Sequence, residues 1–239
     1  MVWGLMRISH ISVSDKITLL VYGCNFKCKY CFFKPRDCTN LTTKSLYDML
    51  SKIKKEYNLS MITIAGGEPT LQDDLPKLTK LLDGNFHSIL STNGSHLLET
   101  IDKLKVREVH VNLKAFDDKK HRILTSQSNK RVLEAIEYLG ENKGDLNFKV
   151  EISTVLIPGI IGLSEIGKIA KFLGRWDLPY HIIAHVPARL NAPRPSKDII
   201  DAAKNISQKY LSNVSTSLES RRHRKGKKIL IQKSLIIVQ

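Results

Sequence analysis

The sequence predicts an α/β fold: an incomplete, laterally open (β/α)6 barrel of the TIM type, with a C-terminal β-hairpin extension. Three observations predict it. Short β-rich apolar runs alternate with longer segments whose apolar residues recur every three or four positions, the pattern of parallel strands with helices outside them. About six such units are present, fewer than the eight that close a barrel. Turns rich in glycine, Gly23 and Gly66-Gly67, follow the first two strands. Strand ends of that kind are where α/β barrels place their chemistry.

The elements follow in order. Residues 17–21 form a short apolar run closed by Tyr22-Gly23, and read as the first strand. Thr42 and Thr43 can cap a helix running to about residue 57, with Leu46, Met49, Leu50 and Ile53 on one face. Residues 61–65 read as the second strand, and Leu75, Leu78, Leu81 and Leu82 mark the helical face after it. Residues 88–91 read as a strand and 97–104 as a helix. Val109, Val111 and Leu113 alternate as the fourth strand, with helical patterns over 119–124 and 130–139. Residues 148–157 are β-branched and stop at Pro158-Gly159; 164–173 is helical, 180–186 a strand and 196–211 a helix. Val214, Thr216 and Leu218 then alternate, a basic turn follows, and 228–238 is apolar and β-rich. These last segments read as a terminal hairpin extending a sheet edge. The expected organisation is a partial barrel over residues 1–211 and a basic β-hairpin appendage over 212–239.

Composition narrows the function classes. Hydrophobic residues make up 42% of 239, enough for a packed core. Four cysteines in a chain of this length do not make a disulfide scaffold. Clustered thiols suit a reducing cytoplasm, and no segment has the length of a membrane span or the apolar stretch of a signal peptide. A cytoplasmic protein without a membrane partner is expected. The net charge is +15, part of it concentrated in Arg221, Arg222, Arg224, Lys225, Lys227 and Lys228. Such a run can contact nucleic acid. No aromatic residue interleaves it, so a solvated turn is preferred over a nucleic-acid site.

Cys24, Cys28 and Cys31 stand in the run Gly-Cys-Asn-Phe-Lys-Cys-Lys-Tyr-Cys, spaced C-x3-C-x2-C. A redox dithiol needs two thiols, and structural zinc usually takes four ligands. Three thiolates on one loop suit a [4Fe–4S] cube held at three irons. Such clusters normally have four cysteines, so the shortfall leaves one iron for another ligand. Cys38 could complete a zinc site instead, but reads better as a small buried residue. Gly66-Gly67 removes two side chains, so backbone can approach a ligand closely, and Pro69 fixes the turn.

The cysteine loop, with Tyr30 before its third cysteine, and Gly66-Gly67-Glu68-Pro69 after the next strand resemble the radical S-adenosylmethionine (SAM) superfamily. The agreement of strand and helix order runs from about residue 15 to about 211. The resemblance implies two cofactors, a [4Fe–4S] cluster and SAM. It implies that SAM chelates the open iron and is reductively cleaved to a 5′-deoxyadenosyl radical that abstracts hydrogen from substrate. The Gly66 and Gly67 carbonyls, supported by Glu68, would then receive the SAM ammonium group.

Within the superfamily the chain is similar to the activating enzymes of glycyl-radical enzymes. Ser91-Thr92-Asn93-Gly94 stands where those proteins have Asp-Thr-Asn-Gly, and Val111-Asn112-Leu113-Lys114 where they have a strand ending in Asp-x-Lys. Val155-Leu156-Ile157-Pro158-Gly159 resembles their Val-Val-Pro-Gly turn. The resemblance implies SAM contacts from Tyr30, Gly66, Gly67, Glu68, Pro69, Ser91, Asn93, Asn112, Lys114, Ser153 and His185. Ser91 and Asn112 replace two aspartates that hold a monovalent cation in pyruvate formate-lyase activase, so that ion is not expected here. Ser153 stands about where some activases have an arginine, and Phe32-Phe33 replaces a His-Asn pair. His181 reads as a satisfied core or rim histidine. Glu151 and Ser153 share one strand face, either lining the barrel interior or facing solvent.

Lys27, Lys29, Lys34 and Arg36 collar the cysteine loop, and suit an acidic electron donor such as flavodoxin or ferredoxin, or an anionic substrate. The function read from these residues is a radical SAM oxidoreductase that activates a glycyl-radical enzyme. Radical SAM modification of a small molecule or RNA base is the alternative. A non-catalytic zinc or iron–sulfur interaction protein is the reading from a different class.

Overall fold

The computed structural model describes residues 4–187 and 189–219, with backbone pairing alone for 227–232 and 235–238. Its core is a run of seven parallel strands in the order β2 (Ile17–Val21), β4 (Met61–Gly66), β5 (His87–Thr92), β6 (Glu108–Asn112), β7 (Lys149–Leu156), β8 (Tyr180–Ala184) and β9 (Val214–Thr216). The path ends at β9 without returning to its start, so the sheet is open. Helices α1 (Thr43–Tyr57), α2 (Leu75–Leu82), α3 (Asp118–Thr125), α4 (Lys130–Glu141), α5 (Leu163–Leu173) and α6 (Lys197–Ser207) occupy the crossovers.

Strand alternation divides the sheet into two unlike faces. Ile17, Leu19, Val21, Ile62, Ile64, Leu90, Val109, Val111, Ile152 and Ile182 are fully or almost fully buried in the core. The intervening residues point to the other, concave face. The helices take the expected stripes, with Leu46, Leu50 and Ile53 of α1 and Leu75, Leu78 and Leu82 of α2 buried. Thr42 caps α1, its hydroxyl accepting from Ser45 N at 3.1 Å.

Four expectations change. First, two strands were not foreseen: β1 (Leu5–Val13), antiparallel to β2, and β3 (Thr39–Thr42), antiparallel to β1. In β1 the buried apolar positions are Met6 and Ile8, then Ile11 and Val13, because a register shift at Ser9, itself buried, moves the apolar residues from even to odd positions. The period-2 signal is lost there. Second, 97–104 is not an α-helix. It is a series of tight turns ending in a 3-10 turn (Ile101–Lys103), with Leu97, Ile101 and Leu104 still buried. Third, α6 stops at Ser207. Fourth, Val214–Thr216 joins the parallel sheet beside β8, and the terminal hairpin is made by β10 (Lys227–Gln232) and β11 (Leu235–Val238) alone, with β10 against β1. Arg221, Arg222, Arg224 and Lys225 lie outside the described residues.

The open edge at β9 is short and guarded. The Thr216 N–H donates to the Glu219 carboxylate at 2.9 Å, and Glu219 also pairs with Lys204. A capped edge of this kind does not template another strand. Among the described residues no helix is long and apolar enough to cross a membrane.

Candidate functional site

The cysteine loop leaves the C-terminal end of β2 through Gly23, which has φ +90°, a left-handed conformation that favours glycine. It then docks on the end of α3. The Lys27 and Lys29 N–H groups donate to Thr125 O at 2.8 Å and Leu124 O at 2.9 Å, and Phe26 meets the buried His121 ring edge to face at 5.4 Å. Cys24 is exposed, and Cys28 and Cys31 are half-buried. All three are free thiols; Cys38 is exposed, not the buried residue expected.

The Gly66-Gly67-Glu68-Pro69 turn locks against the same loop. Gly67 N donates to Val21 O at 3.0 Å and Glu68 N to Gly23 O at 2.8 Å. A Cβ on Gly67 would lie 1.8 Å from Gly23 O, so only glycine fits. Pro69 opens a 3-10 turn. Glu68 is 1% exposed. Its Oε1 accepts from Thr70 N at 3.1 Å, Thr70 Oγ1 at 2.7 Å and Thr92 Oγ1 at 2.5 Å, and its Oε2 from Asn93 N at 2.6 Å. A carboxylate has about four lone-pair positions, so this one is engaged by the protein and ties the second strand's turn to the third's.

Asn93 continues the chain of contacts. Its Nδ2 donates to Asn25 Oδ1 at 2.9 Å and reaches the Cys24 sulfur at 4.0 Å, while its Oδ1 accepts from Ser95 N and Ser95 Oγ at 2.9 and 2.7 Å. Lys114 stands past the end of β6, its Nζ donating to Asn112 Oδ1 at 2.8 Å. Partial desolvation within the loop pushes the Cys24 and Cys28 thiols above their ordinary range, and the Lys114 charge opposes that rise at both. Metal loading therefore releases protons.

Tyr30 and His185 pack edge to face with ring centroids 6.5 Å apart, and are 7% and 1% exposed. Burial, with Cys28 and Cys31 nearby, raises the Tyr30 phenol well above its ordinary pKa. Neither Tyr30 Oη nor His185 Nε2 has a hydrogen-bond partner among the described residues. Buried polar atoms are normally satisfied, so this pair, lying against the cysteine loop, suits a polar ligand. Among the described residues no three His, Cys, Asp or Glu side chains are grouped to hold one metal ion. Cys24, Cys28 and Cys31 are free thiols on one loop, and thiolates are the donors that hold iron–sulfur clusters, so the donor set fits a three-cysteine [4Fe–4S] cluster.

The remaining predicted residues lie on the concave face. Asn112, Ser153 and His181 are paired neighbours on adjacent strands, and Ser91 is the neighbour of His110. Ser153 is 4% exposed, and His181 hydrogen-bonds Ser215 Oγ at 2.7 Å, the satisfied histidine expected. Glu151 faces this interior too. It lies 3.6 Å from His110 Nδ1; His110 Nε2 lies 2.9 Å from Glu108, which also pairs with His87 at 2.6 Å. That His87–Glu108–His110–Glu151 chain was not foreseen, although strand alternation would have found it. Also unforeseen is Glu165, fully buried on α5, whose Oε1 accepts from Phe116 N and Asp117 N, both at 2.7 Å, just beyond Lys114.

Comparison with known proteins agrees with this geometry. The sequence profile described as the radical SAM superfamily matches residues 18–173. A Methanocaldococcus jannaschii protein, provisionally named a glycyl-radical enzyme activating enzyme, is 57% identical over 95% of this chain and 90% of its own. The pyruvate formate-lyase-activating enzyme of Streptococcus mutans is 28% identical over 77% of this chain and 78% of its own. Among solved structures, Streptococcus suis SuiB bound to S-adenosylmethionine superposes with a TM-score of 0.65 at 19% identity, covering 82% of this chain and 48% of that one. That last likeness is one of fold.

Proposed function

The chain belongs to the radical SAM superfamily, and from that membership we propose that it is the activating enzyme of a glycyl-radical enzyme. The superfamily uses a [4Fe–4S] cluster and SAM. The observation that carries the finer reading is the 57% identity, over nearly the whole length of both chains, to a protein named for that activity. The open sheet supports it, because a laterally open concave face admits a polypeptide segment.

In this reading Cys24, Cys28 and Cys31 hold three irons. With the cluster and SAM bound, these cofactors would supply the one-electron reduction and hydrogen-abstraction chemistry that the protein itself lacks. The protein's own part is placement. The Gly66-Gly67 backbone and Lys114 receive the amino-acid end of SAM, Lys114 its carboxylate. Tyr30 Oη and His185 Nε2, unpartnered among the described residues, receive the adenosyl end. Ser91, Asn112 and Ser153 line the concave wall beside it. The exposed Lys27, Lys29, Lys34 and Arg36, in and just after the cysteine loop, dock an acidic electron donor.

The test is anaerobic. Reconstituted protein with dithionite and SAM yields 5′-deoxyadenosine and methionine, and Cys28→Ala yields neither. Adding candidate glycyl-radical enzymes then gives a glycyl radical in the partner's electron paramagnetic resonance spectrum. Nucleoside without a partner radical, but with a modified metabolite or RNA, would replace the activase reading with the small-molecule or RNA one.

A further inference from the structure

The three thiols are not equally bonded. Cys24 Sγ is approached by two N–H donors, Phe26 N at 3.4 Å and Asn93 Nδ2 at 4.0 Å. Cys31 Sγ instead points at a carbonyl, Phe33 O at 4.0 Å. The backbone donor belongs to the loop itself. The carboxamide comes from the turn after β5, and it is held with unusual completeness.

We infer that Asn93 is a positioning residue for the cluster, donating an N–H to the Cys24 thiolate and so raising the cluster's reduction potential, rather than a contact for SAM. This rests on the radical SAM reading and deepens it. The orientation of the carboxamide is settled by its surroundings. Oδ1 accepts two hydrogen bonds from Ser95, one of them from a backbone N–H that can only donate. A flipped amide would set its NH2 against that donor. The NH2 group must therefore face Asn25 Oδ1 and Cys24. Asn25 in turn donates to Ser95 Oγ at 2.8 Å, closing a ring of three side chains. Glu68 holds the Asn93 backbone N–H at 2.6 Å.

Asn93 is only 7% exposed, so its remaining N–H has little water to turn to. A contact of 4.0 Å to a neutral thiol strengthens when the sulfur carries thiolate charge. Hydrogen bonds to cluster sulfurs stabilise the more negative, reduced form, and are among the determinants of potential. With both ends of its carboxamide engaged by the protein, Asn93 has no free group for a ligand.

The experiment is a redox titration of the reconstituted cluster without SAM, followed by electron paramagnetic resonance. Asn93→Ala is expected to shift the midpoint to more negative potential at unchanged iron and sulfide content. Asn93→Asp keeps the shape but loses the donor and adds a charge; Asn25→Asp adds the same charge at the acceptor of the other Asn93 N–H and leaves the Asn93 donor to Cys24 in place. The Asn93→Asp shift should exceed that of Asn25→Asp. A parent midpoint in Asn93→Ala overturns the inference. If that variant fails to hold a cluster, equal shifts in the two aspartate variants overturn it. Absence of any cluster in the parent would instead sink the family reading.

Discussion

Glu68 offers the sharpest separation of bracing from ligand binding. Glu68→Gln keeps size and shape but replaces one oxygen by an NH2 group. Both placements of that group fail. At the Oε2 position it faces the Asn93 N–H, and at Oε1 it faces the Thr70 N–H. Either way two donors oppose each other at a residue that is 1% exposed. A buried unsatisfied group costs about 1–3 kcal/mol. For a chain of this size each kcal/mol moves Tm by roughly 2–4 °C, so a 2 kcal/mol loss lowers Tm by about 4–8 °C. Glu68→Ala strands all four donors and should cost about 3–5 kcal/mol, near the top of what single substitutions do. The assay is thermal or urea unfolding of the cluster-free protein. Were the carboxylate reserved for the SAM ammonium group, Glu68→Gln would leave this stability unchanged and lower only SAM affinity. A Tm within about 1 °C of the parent refutes the bracing argument.

Gly67→Ala drives a Cβ into the Gly23 backbone; it should destabilise by about 3 kcal/mol or more, beyond ordinary overpacking, and lower iron content after reconstitution. Tyr30→Phe removes a hydroxyl that has no partner among the described residues. It should leave cluster-free stability unchanged or raised by up to about 1–3 kcal/mol, while SAM binding by the loaded protein weakens; normal SAM affinity would remove Tyr30 from the site. Burial pushes the Glu108 carboxyl up, but hydrogen bonds from His87 and His110 outweigh it and bring it below 4.5. Its stabilising contribution is therefore complete above the unfolded value and disappears as pH falls through the lower folded value. The Tm gap between parent and Glu108→Gln should hold above about pH 5 and close below it; a gap constant down to about pH 3 counts against the assignment.

The parts of the fold legible in the sequence are those where one residue type has one job. Leu46, Leu50 and Ile53 mark the buried stripe of α1, and Gly66-Gly67 marks a turn pressed against β2. The parallel strands show as apolar runs because their outer faces are wholly covered. β1 was hidden by the shift at Ser9, which breaks alternation in mid-strand. Residues 97–104 carry helical spacing, yet the same spacing serves tight turns that bury Leu97, Ile101 and Leu104. At the site, Cys24, Cys28 and Cys31 needed no structure. Glu68 and Asn93 were read as SAM contacts, whereas in the structure their contacts run to Thr70, Thr92, Asn25 and Ser95, and a one-dimensional pattern cannot show which hydrogen bonds are already taken.

These contacts bear on how an open barrel holds a site at all. A closed barrel fixes its strand ends partly by packing side chains inside. Here the part of the interior wall that carries Glu108, His110 and Glu151, whose side chains remain 24%, 27% and 33% exposed, is wetted and not packed. Stiffness at the rim must come from elsewhere. Two buried carboxylates provide it, by accepting backbone N–H groups from the loops that carry the chemistry. Glu68 holds the turn after β5, beside Cys24. Glu165 holds the loop after β6 at Phe116 and Asp117, two and three residues beyond Lys114. Leaving such a carboxylate's partners unpaired is costly, which makes each clamp stiff without any contribution from the concave side. The loops next to Cys24 and Lys114 are thus held by hydrogen bonds that do not depend on the concave wall.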